Sequence, residues 1–211
     1  MRYCICMSEE EPKPTTKPVH SKIELKKKIC MFGDPGVGKT SLIRKFVIDK
    51  YEDKYISTIG TKVSKKAIDL SIPSLNMDFS VSMQIWDVAG QKGYKVFHEI
   101  YLQGANAVLS VCDITRRDTF ESLKGSPSII TKHAGSVPIV FLFNKCDLME
   151  QAQISIDEIQ QFQSVRKAPC YLTSAKTGEN VEDAFQKLAE MLAKMYLIEQ
   201  SRRAAASPKN T

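Results

Sequence analysis

Histidine is scarce in this chain, with three among 211 residues (His20, His98 and His133), all far in sequence from the cysteines. The six cysteines, at positions 4, 6, 30, 112, 146 and 170, contain no Cys-x-x-Cys pair. Those two shortages exclude the ligand spacings of a structural zinc site. Cys30, Cys112 and Cys170 stand in or beside apolar runs, where a free thiol behaves as a small core hydrophobe. A reducing compartment is expected.

Long apolar runs are also missing: none approaches the roughly 20 residues that cross a bilayer. The start, MRYCICMSEE, turns acidic too soon for a signal peptide. Residue 2 is arginine, so the glycine that myristoylation requires is absent. Charge of one sign is only slightly in excess, with 30 basic against 24 acidic residues for a net +6. Much of that excess sits at Lys22, Lys26, Lys27 and Lys28 and at Arg202 and Arg203. It reads as solvated edges and tails, and no nucleic-acid partner is expected. The chain reads as cytoplasmic.

What is present fits one domain of about 100–200 residues with short tails. Residues 1–22 carry Pro12, Pro14 and Pro18 among charges and threonines and are expected to be a disordered extension. Residues 201–211 are expected to be a flexible tail, which leaves residues 23–200 as the folded body. Within that body strand and helix signals alternate. Ile29-Cys30-Met31-Phe32 ends at a glycine-rich turn, and a helical pattern follows through Leu42, Ile43, Phe46 and Val47. From Met77 to Ile85 polar and apolar residues alternate without a break, as in a half-buried strand. Its expected antiparallel partner is Lys62–Leu70, with residues 71–76 as the turn. Ala107–Cys112 and Ile139–Phe143 are apolar without alternation, which suits parallel strands covered on both faces. Ser155 with Glu158 forms a capping box. Asn180 is the expected cap of a last helix whose stripe is Val181, Ala184, Phe185, Leu188, Met191 and Leu192. The pattern predicts an α/β sandwich with its ligand loops at the carboxyl ends of the strands.

Gly33-Asp34-Pro35-Gly36-Val37-Gly38-Lys39-Thr40 matches G-x-x-x-x-G-K-[ST] between a strand and a helix, the context that a P-loop requires. Glycines let the backbone wrap phosphates, and N–H groups at a helix N-terminus point inward. Asp34, Gly36, Val37, Gly38, Lys39, Thr40 and Ser41 are therefore candidate nucleotide-binding residues. Lys39 is a point charge for the β- and γ-phosphates, and Thr40 offers a hydroxyl to Mg²⁺. Asp87-Val88-Ala89-Gly90-Gln91 follows the amphipathic strand. There Asp87 is placed to meet the magnesium shell through a water, the Gly90 N–H to approach a γ-phosphate oxygen, and Gln91 to orient the attacking water. Lys39, Gly90 and Gln91 are the candidate catalytic residues.

Asn144-Lys145-Cys146-Asp147 follows the second buried strand. The Asp147 carboxylate can accept from N1–H and the N2 amino group of guanine, a donor pair that adenine lacks, and such a site discriminates strongly. Lys145 can lay its stem over the base, and Asn144 can tie its loop to the P-loop. In Ser174-Ala175-Lys176 the Ala175 N–H can donate to guanine O6.

With these motifs in this order, the chain resembles the Ras superfamily of small GTPases over roughly residues 25–200. Trp86 to Gln91, Tyr101-Leu102-Gln103-Gly104-Ala105 and Cys112-Asp113-Ile114-Thr115 look most like the Rab branch. The resemblance implies a P-loop G domain: a six-stranded, mostly parallel sheet with one antiparallel edge strand and five flanking helices. It implies a Mg²⁺-dependent GDP/GTP switch with slow intrinsic hydrolysis, working in vesicle trafficking or signalling. It also implies an exchange factor, a GTPase-activating protein and effectors acting through residues 51–63 and 89–100, on a monomer. Thr58 becomes the second magnesium hydroxyl, Tyr51 an aromatic near the guanine and ribose, and Tyr55 a lid over the phosphates.

The chain departs from that family at several positions. Pro35 stands at a loop position usually held by a small residue, and proline lacks an N–H and fixes φ. Lys92 replaces a glutamate of the Rab pattern, and Thr61-Lys62-Val63 lacks an aromatic that Rabs usually carry. No residue stands out as an internal arginine finger. The Rab prenylation cysteines are missing from Ser207-Pro208-Lys209-Asn210-Thr211, while Cys4 and Cys6 offer an alternative lipid anchor, so peripheral membrane contact stays open. A hydrolysis-deficient guanine-nucleotide scaffold is the alternative function, and an ATP-using P-loop kinase a third, against which Asp147 argues.

Overall fold

The computed structural model describes residues 22–49, 61–73, 76–88 and 100–206. In chain order the elements are β1 (Ile23–Phe32), α1 (Lys39–Ile48), β2 (Thr61–Ile72), β3 (Met77–Val88), β4 (Ala107–Asp113), α2 (Arg117–Ala134) and β5 (Ile139–Asn144). A 3-10 turn (Cys146–Gln151), α3 (Ile156–Arg166), β6 (Cys170–Thr173) and α4 (Val181–Ala206) complete them. The sheet order is β2-β3-β1-β4-β5-β6. All neighbours are parallel except β2 with β3, so the predicted antiparallel edge strand is β2. Four α-helices are complete among the described residues, and residues 100–102 are helical as well.

The unbroken apolar strands are explained by burial on both faces. Along β5, Val140 and Leu142 enter one core with Phe185, Leu188 and Leu192 of α4. The alternate residues Phe141 and Phe143 enter a second core with Phe120 of α2 and Phe162 of α3. The Phe162 ring sits edge-on to Phe141 at 4.9 Å and to Phe143 at 5.9 Å, a favoured aromatic geometry. A third, smaller cluster sets Cys30 and Val108 against Leu102 and Ile130. On β3 the alternation is as expected: Phe79, Val81, Met83 and Ile85 are fully buried, and Met77 packs at the margin. In α4 the predicted stripe is buried except Met191, which is half-buried, and Ala189 and Ala193 join it.

Three element boundaries and one side-chain cap differ from the sequence reading. β1 is ten residues long because Leu25, Ile29 and Met31 are buried on one face, where Lys27 is accommodated half-buried, while Glu24 and Lys26 stay exposed on the other. The β2–β3 turn is shorter than residues 71–76, since Ser71 pairs with Asp78 and Ile72 with Met77; Ser71 Oγ donates to Asp78 Oδ1 at 2.6 Å. Asn180 adopts φ 52°, its side-chain amide donates to Leu172 O at 2.7 Å, and its carbonyl accepts from Ala184 N–H. Its side chain thus ties the start of α4 to β6. Finally, α4 runs to Ala206, past residue 200 where a flexible tail was expected, because Arg202, Arg203 and the alanines are strong helix formers.

The capping box at Ser155 is formed in both directions: Ser155 Oγ accepts from Glu158 N, and Glu158 Oε2 accepts from Ser155 N at 3.0 Å. Within α2, Pro127 removes the amide that would serve the Leu123 carbonyl. Ser126 Oγ supplies a hydrogen bond to that carbonyl at 2.8 Å and pairs with Ser110 Oγ of β4, also at 2.8 Å. The helix keeps its course, and two buried hydroxyls are satisfied.

Candidate functional site

The loop between β1 and α1 closes on itself. Gly33, Gly36 and Gly38 have φ of 143°, 75° and 99°, the left-handed region that favours glycine. At Gly33 a Cβ would lie 2.2 Å from Val111 O, and at Gly38 2.2 Å from Asn144 Nδ2. Both close approaches therefore need the missing side chain. Val37 is fully buried and anchors the loop from beneath. Lys39, in the first turn of α1, donates to Gly33 O at 2.7 Å and Asp34 O at 2.9 Å, so its ammonium lies across the mouth of the loop. Burial pushes its pKa down to about 8, against attraction from Asp87 and Asp34. Ser41 follows in α1, half-buried.

Thr40 Oγ1 donates to Asp87 Oδ2 at 2.6 Å, which brings together the two described magnesium candidates. Asp87 is buried at the end of β3, and desolvation raises its pKa against the hydrogen bond from Thr40 and the charge of Lys39. Its second oxygen, Oδ1, is buried without a hydrogen-bond partner among the described residues. A hydroxyl turned to a carboxylate and an orphaned carboxylate oxygen suit a hard divalent cation and its waters. Thr58, the third candidate, lies outside the described residues, as do Tyr51, Tyr55, Gly90 and Gln91.

At the other end, Asn144 is the hub. Its Nδ2 donates to Val37 O at 2.8 Å, and its Oδ1 accepts from Thr173 Oγ1 at 3.3 Å and Ala175 N at 3.2 Å. One buried amide thereby joins three loops, as expected for its link to the P-loop. The Ala175 N–H, expected to serve a base carbonyl, is directed at Asn144 Oδ1, so donation to a ligand would be shared with that bond or exchanged for it. Asp147 is exposed, and its Oδ1 accepts from Ser174 Oγ at 2.6 Å. Ser174 Oγ in turn accepts from Lys176 N at 3.2 Å and Thr177 N at 3.1 Å. Lys145 adopts φ 70°, and its ammonium reaches Asp113 Oδ2 at 2.6 Å as an ion pair. The Lys176 side chain is exposed.

All these loops lie at the carboxyl ends of β1, β3, β4, β5 and β6, where open parallel sheets place their ligands. A model of the Ras family matches residues 28–194. The chain belongs to the Ras family. Ras-related protein Rab-2B of Dictyostelium discoideum is 35% identical over 90% of this chain and 92% of its own length. GTP-binding protein YPT1 of Saccharomyces cerevisiae is 34% identical over 78% of each chain. Ras-related protein RABD2c of Arabidopsis thaliana is 34% identical over 76% of this chain and 77% of its own. These relatives put it on the Rab branch of the Ras superfamily, whose members are GTP-binding GTPases.

For this Ras-family chain, sequence reasoning missed the contacts around Asp113. Arg116 Nη2 donates to Pro35 O at 2.8 Å, across 81 residues, so the loop position that departs from the family pattern is held by an arginine. No local pattern signals such a contact. It also missed Lys28, whose ammonium donates to Gln103 O at 2.7 Å and lies 4.5 Å above Trp86, a cation–π contact and not a merely solvated edge.

Proposed function

We propose that this GTPase holds GTP or GDP between its P-loop (Asp34 to Ser41) and the loops carrying Asn144, Lys145, Asp147 and Ser174 to Lys176. The observation that carries this reading is the Asn144 side chain, which fastens the P-loop, β5 and the Ser174 loop into one rim. Lys39 offers its charge to the β- and γ-phosphates, and Asp147, fixed by Ser174, reads the guanine edge. Thr40, Thr58 and, through a water, Asp87 hold Mg²⁺, which supplies positive charge to phosphate oxygens when bound. Gly90 and Gln91 serve hydrolysis, which proceeds slowly when the protein acts alone. Tyr51 and Tyr55 close over the nucleotide.

In this reading residues 51–63 and 89–100 respond to the γ-phosphate and are read by an exchange factor, a GTPase-activating protein and effectors. The role is that of a monomeric switch in vesicle trafficking or signalling, working in the cytoplasm and peripherally on membranes. No helix among the described residues is long and apolar enough to cross a bilayer.

The base assignment is tested with Asp147→Asn, which should lose guanine nucleotide and gain affinity for xanthosine nucleotide; unchanged guanine preference would refute it. Single-turnover conversion of bound GTP tests the enzyme. The parent should form GDP faster than Gln91→Leu, and equal rates would favour the scaffold alternative.

A further inference from the structure

Arg116 stands at the N-terminus of α2, but its side chain does not cap that helix. It turns instead to the phosphate loop and donates from Nη2 to Pro35 O at 2.8 Å. Its Nε lies 3.5 Å from Asp113 Oδ2, the oxygen that Lys145 Nζ reaches at 2.6 Å. Asp113 is fully buried, and its other oxygen, Oδ1, accepts from Thr115 N at 3.0 Å and Thr115 Oγ1 at 2.7 Å. The carboxylate is therefore fixed from one side. Oδ2 stands between two cations, one touching the phosphate loop and the other rooted in the base loop.

The backbone around this arrangement is also fastened. Thr119 Oγ1 accepts from Asp113 N at 3.0 Å and lies 2.8 Å from Arg116 O. The guanidinium is thus aimed by a closed turn, although its side chain is 39% exposed. A buried carboxylate is costly unless its charge is matched, so the positions of Lys145 and Arg116 depend on each other through Asp113. Arg116 also lies near enough to Lys39 to favour its neutral form, which places its charge at the phosphate end.

We propose that Arg116 is a positioning residue for nucleotide retention: it clamps the phosphate loop at Pro35 and, through Asp113, couples that loop to Lys145 in the base loop. This rests on the nucleotide placement given under Proposed function. Pro35 contributes no N–H to the loop, so its carbonyl is the group by which a neighbour can hold it. Loosening the clamp frees the loop and shifts Asp113 toward Lys145 alone, so the two ends of the site release together.

The test uses the full chain loaded with a fluorescent GDP and chased with excess unlabelled GDP in Mg²⁺. Arg116→Gln should release nucleotide about tenfold faster, the scale of one charge-assisted hydrogen bond discounted for exposure. Arg116→Lys should recover part of that loss, because an ammonium can still reach Pro35 O. In a cycle with Lys145→Gln, the double variant should fall at least about threefold short of the product of the single effects, as expected for residues sharing a partner. Arg117→Gln, at an outward arginine paired with Glu121 and Glu158, should match the parent. Parent-like release from Arg116→Gln would overturn the clamp, and multiplicative effects would overturn the coupling. If the parent itself failed to retain labelled GDP, the placement of the nucleotide would fall first and the clamp with it.

Discussion

The hydroxyl of Thr40 donates to Asp87 Oδ2 across 2.6 Å, joining the first turn of α1 to the end of β3 over 47 residues. The contact settles only half of the carboxylate, since Oδ1 is buried without a hydrogen-bond partner among the described residues.

Replacing Asp87 tests what that orphaned oxygen is for. Its pKa is raised by desolvation, so the folded chain binds the proton more tightly than the unfolded chain. Between the ordinary carboxylate value of 3.8 and the raised one, this group's contribution to stability falls as pH increases. Near neutral pH the charge is a cost in metal-free protein. Asp87→Asn should therefore melt no lower than the parent without Mg²⁺, yet lose the slowing of GDP release that Mg²⁺ gives the parent. Release from the variant that Mg²⁺ slows as strongly as in the parent would count against a metal role.

Lys39 gives a proton-linked prediction of opposite character. Its folded pKa is about 8, below its ordinary 10.5. Between those values the unfolded chain holds a proton that the folded chain has lost, so this group's contribution to stability rises with pH across that window. A bound polyphosphate favours the charged form. GDP binding at pH 9 should therefore take up a proton, seen as a dependence of calorimetric binding heat on the buffer's ionisation enthalpy. No such dependence would mean that Lys39 does not change its charge on binding.

Gly38 and Asn144 form a pair that tolerates change at neither end. Alanine at 38 would meet φ 99° and place its Cβ 2.2 Å from Asn144 Nδ2. Left-handed backbone alone costs a side chain about 1–2 kcal/mol. Asn144→Ala would leave Val37 O, Thr173 Oγ1 and Ala175 N without their partner, for a loss of about 3 kcal/mol. Urea unfolding should place both variants well below the parent, and a loss under about 0.5 kcal/mol in either would show that the hub is dispensable.

Ser155→Ala removes one arm of the capping box on α3 and should cost about 1 kcal/mol. The same urea curves measure it. Because the bonds removed are those between Ser155 and Glu158 at the start of α3, GDP release should remain at the parent rate.

What the sequence by itself determined were features carried by short contiguous runs, though not the length of the β2–β3 turn or the role of the Asn180 side chain. The P-loop is legible because its glycines meet a local backbone demand, and Gly33, Gly36 and Gly38 do adopt positive φ. Period-two alternation foretold the buried face of β3, and unbroken apolar runs foretold that β4 and β5 are covered on both sides. Tertiary structure alone decided which of these runs would meet. The bonds Thr40–Asp87, Arg116–Pro35 and Asn144–Val37 span 47, 81 and 107 residues. They exist because the order β2-β3-β1-β4-β5-β6 lays the carboxyl ends of distant strands side by side. No local propensity encodes such a meeting. It follows from burying both faces of one sheet, and that burial sets Asp113 between Lys145 and Arg116.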